Sequence, residues 1–149
     1  MNKHCKKANE LFLKGYNCSQ SVVGAYADEL GIDFETLIKL SSSFGGGMGK
    51  LREVCGAVSG MFIVAGILKG YSTPNNDKIK CNHYALIQKL GHSFKDKFGS
   101  IICRELLNLD TQESPPTPTK RTVSFYKDRP CGKFIQTACD ILDEEIFQE

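Results

Sequence analysis

The stretch SSSFGGGMGKLREVCGAVSG, Ser41 to Gly60, places four glycines in five residues, adds two cations and then presents a cysteine at the head of an apolar segment. Its reading separates two fold classes. A phosphate cradle of the P-loop type follows a strand and needs Gly-x-x-x-x-Gly-Lys-Ser/Thr; here Phe44 holds the place of the first glycine and Leu51 that of the Mg²⁺-binding hydroxyl. A dinucleotide fingerprint counted from Gly45 puts Lys50 where the last glycine belongs. Neither nucleotide motif survives, and the segment reads as a sharp turn into a helix that begins near Cys55.

Outward from there the apolar residues recur at helical spacing. Val54, Val58, Met61, Ala65 and Leu68 form one stripe, closed by Gly70 and the turn residues that follow. Upstream, Ala8, Leu11 and Phe12 precede a break at Gly15-Tyr16-Asn17, and Cys18, Val22, Ala25 and Leu30 resume the pattern up to Gly31. Asp33 is placed to cap a short helix carrying Leu37 and Leu40. Downstream, Tyr84, Ile87, Gly91, Phe94 and Phe98 predict a longer helix from about Asp77 to Phe98, ended by Gly99. Ser100 is a candidate N-cap for the next, and Asp128 or Arg129 with Pro130 opens a last helix with Cys131, Ile135, Ala138 and Leu142 inside. Only RTVSFY, Arg121 to Tyr126, looks like a strand. It lies in the segment 110–130, whose ESPPTPTKR predicts an extended, mobile surface loop. The expected fold is an all-α, single-domain bundle of about five to seven helices over residues 1–149, with that exposed Pro-rich loop before the last helix.

Composition narrows the function. Of 149 residues, 41% are hydrophobic and 24% charged, as in an ordinary globular chain, and a net charge of +2 is too small for a nucleic-acid partner to be expected. No apolar run is long enough to span a bilayer and the first residues carry no cleavable apolar core, so the cytoplasm is the expected compartment. The seven cysteines are the informative residues. Their odd count argues against a secreted disulfide scaffold, and no Cys-x-x-Cys occurs, so whatever chemistry they share needs them to meet in space.

Four of them, Cys18, Cys55, Cys103 and Cys131, fall at or near predicted helix N-termini, where free amides and the helix dipole favour a thiolate. Lys50 and Arg52, Arg104, and Arg129 with Lys133 add cations near three of the four. Cys5, Cys81 and Cys139 read as packing residues, His4, His83 and His92 show no ligand spacing, and Asp143 to Glu145 read as a solvated face. Two chemistries fit four such thiols. One is reversible disulfide formation among Cys18, Cys55, Cys103 and Cys131, as in a thiol–disulfide oxidoreductase. The other is a site in which the same four cysteines bind zinc or an iron–sulfur cluster for electron transfer.

At GYNCSQSVV, FGGGMGKLREVCGAVSG, FGSIICRELL and Cys131 the chain resembles the family of redox-active proteins named for the pattern C_GCAxxG_C_C. The pattern cysteines fall on Cys18, Cys55, Cys103 and Cys131, and Gly56, Ala57 and Gly60 complete the central element. The resemblance implies a small helical protein with redox activity, and as partner a redox protein or a transporter-associated protein. It brings no substrate.

Overall fold

Helix starts in this chain are set by short polar side chains that accept from a backbone amide three residues on. Asn2 accepts from Cys5, Asn17 from Gln20, Asp33 from Thr36, Asn76 from Ile79 and Thr122 from Phe125. Each such cap is worth about 1 kcal/mol. The computed structural model describes residues 2–110 and 113–147. Its helices are α1 (Lys3–Leu13), α2 (Cys18–Ala25), α3 (Ala27–Leu30), α4 (Phe34–Ser41), α5 (Gly45–Met48), α6 (Gly56–Lys69), α7 (Asp77–Phe98), α8 (Cys103–Leu106), α9 (Val123–Asp128) and α10 (Cys131–Leu142), followed by a π-helical turn, Asp143–Phe147. Among the described residues six helices reach eight residues, the rest are single turns or little more, and no strand occurs. The fold is all-α. No described helix is long and apolar enough to cross a membrane.

The centre is α6 on α2, with α1 and α10 closing the core and α7 covering α6 and α10. Val22, Val23, Val58, Met61, Val64, Phe94, Ile135 and Leu142 are buried there. Close approach of α2 and α6 depends on Gly60, where a Cβ would stand 3.0 Å from the Ser19 carbonyl oxygen and 3.1 Å from Val22 Cβ.

Three expectations need correction. RTVSFY is no strand: Thr122 caps α9, and Phe125 and Tyr126 pack around Phe12. The cap of α8 is Ile102; Ser100 Oγ instead accepts from the Ile102 amide and donates to Glu105. Asp143 does not belong to a solvated face. Its Oδ1 accepts from the Tyr26 hydroxyl at 3.0 Å and lies 2.9 Å from His4 Nδ1, while His4 Nε2 lies 2.8 Å from Glu29.

Tyr26 ties this corner to the core. Its buried hydroxyl also faces the Cys139 carbonyl at 3.1 Å, and its ring clusters with those of His4 and Phe147, stacking on each. Tyr26→Phe should cost about 1–2 kcal/mol, because it leaves buried acceptors short of a donor while preserving the stack. The urea midpoint should fall with an unchanged m-value. An unmoved midpoint would show that these hydrogen bonds carry no net stability.

Candidate functional site

The glycine-rich segment is a folding device. Gly46, Gly47 and Gly49 adopt φ of 69°, 72° and 58°, and Met48, Lys50 and Arg52 share the left-handed region at 69°, 66° and 61°. Such angles cost a residue with a Cβ about 1–2 kcal/mol, which glycine avoids. The coiled backbone turns Arg52–Cys55 alongside Ile101–Arg104. The amide of Cys55 donates to Ile101 O at 2.8 Å, that of Cys103 to Glu53 O at 2.6 Å, and that of Glu53 to Gly47 O at 2.9 Å. Two glycines mark where cysteine-bearing helix ends touch. A Cβ on Gly47 would lie 2.6 Å from Cys103 Cβ, and one on Gly56 would lie 3.2 Å from Cys18 Cβ.

All four pattern cysteines sit at helix starts. Cys18, Cys103 and Cys131 are the first residues of α2, α8 and α10, and Cys55 is the N-cap residue of α6. All four line one half-open cavity of about 230 Å³, together with Lys50, Arg52, Arg121 and Arg129. Cys55, Cys103 and Cys131 are buried and Cys18 is partly buried. Of the other three, Cys5 and Cys139 are buried between α1 and α10, where the Cys5 thiol donates to Asp140 Oδ1 at 3.0 Å, and Cys81 is exposed on α7. The seven thiols are free.

Position at a helix start does not by itself ionise these sulfurs. Burial pushes Cys55 up to about 12, although the amides of Ala57 and Val58 favour its thiolate. Burial also raises Cys103, against the Arg52 guanidinium whose Nη1 lies 3.5 Å from its sulfur. Cys131 behaves differently. A hydrogen bond from the Cys18 thiol, with Arg129, Arg121 and Arg52 adding positive field, brings it down to about 7 in spite of its burial. The same bond, with burial, drives Cys18 well above the ordinary thiol range. The two sulfurs therefore titrate as a pair, with the field of Arg129, Arg121 and Arg52 favouring the thiolate at Cys131.

The cations are distributed otherwise than the sequence suggests. Arg52 serves Cys103 and not Cys55, donating also to Ser114 Oγ at 2.9 Å, while Arg104 turns to the Glu53 carboxylate at 3.2 Å. Arg121 is the residue that sequence reading missed. Its guanidinium donates to the carbonyls of Phe12 and Tyr16, both at 3.0 Å, and lies over the rings of Phe12 and Phe125 at 4.5 and 4.9 Å. The signal was present in the spacing of Arg121 and Phe125, four residues apart across a Thr cap.

A metal centre would need three or four of these side chains to converge, and among the described residues no group of three or more His, Cys, Asp or Glu is placed to hold a metal ion. The four cysteines thus do not converge on a single metal ion such as zinc in this arrangement. No curated protein and no solved structure matches the chain. A family model does, over residues 16–145, a span that contains all four cavity cysteines and the whole glycine segment. The chain belongs to the family described as "Putative redox-active protein (C_GCAxxG_C_C)".

Proposed function

We propose that the protein carries out thiol–disulfide exchange, with Cys131 as the attacking sulfur and Cys18 as the resolving one. The observation that carries this reading is that Cys18 and Cys131 line one cavity with Arg52, Arg121 and Arg129, where the Cys18 thiol and that positive field bring Cys131 down to about 7. The attacking thiol in exchange works best with a pKa near ambient pH, since a lower one sacrifices nucleophilicity and a higher one leaves little thiolate. The Cys131 thiolate attacks one sulfur of a disulfide R–S–S–R, forming Cys131–S–S–R and expelling R–S⁻. Cys18 then gives up its proton and attacks the Cys131 sulfur, expelling the second R–S⁻ and closing a Cys18–Cys131 disulfide. Two thiols are oxidised and one external disulfide is reduced to two thiols. The positive field of Arg52, Arg121 and Arg129, which favours the resting thiolate, also favours the departing one.

The test is the pH dependence of iodoacetamide alkylation of the reduced protein, resolved by peptide mass mapping. A lowered pKa means that thiolate persists as pH falls, so Cys131 labelling should rise with a midpoint near 7, while Cys55 stays unreactive through the neutral range. Cys18→Ala removes the leading cause of the depression and should move that midpoint toward the ordinary value of about 8.5. A Cys131 midpoint at or above that value in the unaltered protein would contradict the assignment.

A further inference from the structure

The cavity holds more positive charge than its own chemistry needs. Lys50, Arg52, Arg121 and Arg129 all line it, and among the described residues none has a carboxylate within 4.0 Å. The fourth arginine, Arg104, is by contrast matched by Glu53. The cavity cations bond only to neutral atoms, Lys50 to the Thr117 carbonyl at 2.6 Å and Arg52 to Ser114 and the Cys103 sulfur. Arg52 is only 4% exposed, so its charge is largely removed from water. A buried guanidinium without a counter-charge is costly. Cys103 does not supply one, because burial keeps it a neutral thiol, which leaves the Cys131 thiolate alone to face four cations. Lys50 registers the excess: burial, then repulsion from Arg52 and Arg129, lowers its affinity for a proton. Leu106, Pro116, Phe125 and Phe134 add apolar lining, the Phe125 ring lying beside the Arg121 and Arg129 guanidinium groups.

We infer that the disulfide reduced at Cys131 is a small organic disulfide carrying anionic groups, its carboxylates or equivalent oxyanions held by the cavity cations and its carbon chain lying against the apolar lining of Leu106, Pro116 and Phe134. The inference rests on the thiol–disulfide reading and adds the substrate class. The anion neutralises the surplus on binding, and the reaction then produces two thiols that keep their anionic groups, with the electrons and bonds accounted for as above.

Three disulfides of similar length separate charge from reactivity: 3,3′-dithiodipropionate with two carboxylates, bis(2-hydroxyethyl) disulfide with none, and cystamine with two ammonium groups. Each rate with the reduced protein is divided by its rate with 2-mercaptoethanol, which removes the intrinsic reactivity. The normalised rate should be greatest for the dicarboxylate, exceeding the neutral compound by about tenfold or more at low ionic strength, with cystamine slowest. The advantage should shrink in high salt. Lys50→Gln, at a half-exposed rim position, should reduce the dicarboxylate-to-neutral ratio several-fold. An equal or inverted order, with the neutral disulfide still oxidising Cys18 and Cys131, overturns the substrate class and leaves the exchange reading standing. Inertness toward all three overturns both.

Discussion

Replacing Cys131 by serine is expected to lower the rate of reduction of a small disulfide near neutral pH by about 10²-fold or more, the largest effect of any single thiol. The size follows from the company Cys131 keeps. Cys55 is pushed up to about 12 and Cys103 is raised, both chiefly by burial, and burial still raises Cys18 once its bond to Cys131 is lost, so none of the three holds a useful thiolate population when Cys131 is absent. Exposed Cys81 is the one source of background among thiols outside the cavity, and a Cys81→Ala parent removes it. Cys18→Ala should fail differently. The first attack survives at a rate reduced by the rise in the Cys131 pKa, and the protein accumulates as a mixed disulfide on Cys131. A Cys131→Ser protein with unimpaired turnover would move the chemistry to another sulfur.

Gly47→Ala should be the most damaging change outside the thiols. The position has φ of 72°, and a Cβ there would lie 2.6 Å from Cys103 Cβ, 2.8 Å from Arg52 Cα and 2.9 Å from Glu53 N. These are backbone and Cβ atoms, which no rotamer change can clear. Left-handed strain and overpacking together suggest a loss of about 3 kcal/mol, on the order of 10 °C in Tm for a chain of this size. Gly66→Ala is the control. Nothing lies within 4 Å of a Cβ built there, and the residue sits inside α6, so alanine should stabilise by about 0.5–1 kcal/mol. Thermal melts of both variants decide the point. An unchanged Tm for Gly47→Ala would mean that the segment 45–52 can relax without disturbing the cavity.

What the sequence discloses here is mostly local. The break at Gly15-Tyr16-Asn17, Asp33 and Pro130 mark where helices start, and the period of Tyr84, Ile87, Gly91, Phe94 and Phe98 locates α7 with the bounds that the structure gives it. The segment Arg121 to Tyr126 misleads because β-branched and aromatic residues raise strand propensity, and only the Thr122 cap and the ring of Phe12 decide for a helical turn. The placement of four cysteines at helix starts is equally local and equally legible. Their electrostatics are not. The helix dipole acts on all four, yet desolvation depends on what the rest of the chain packs over each sulfur, and it outweighs the dipole at Cys55 and Cys103. Cys131 escapes through a partner more than a hundred residues away and through Arg121, whose own position is fixed by carbonyls at Phe12 and Tyr16. Tertiary pairings of that range leave no periodic trace. His4 and Asp143 hide for the same reason: residues that look like surface charges near the two ends of the chain are brought together by α1 packing on α10.

The central claim is that Cys18 and Cys131 form the redox couple, and the most direct test is to identify the first disulfide that the reduced protein forms. Anaerobically reduced protein is treated with one equivalent of a small disulfide, remaining thiols are alkylated in acid, and the linked peptides are sequenced by mass spectrometry. The account predicts a Cys18–Cys131 linkage as the first and dominant product, with Cys55, Cys103 and Cys139 recovered as free thiols. Recovery of both Cys18 and Cys131 as alkylated thiols, or Cys131 joined to another cysteine, would contradict it.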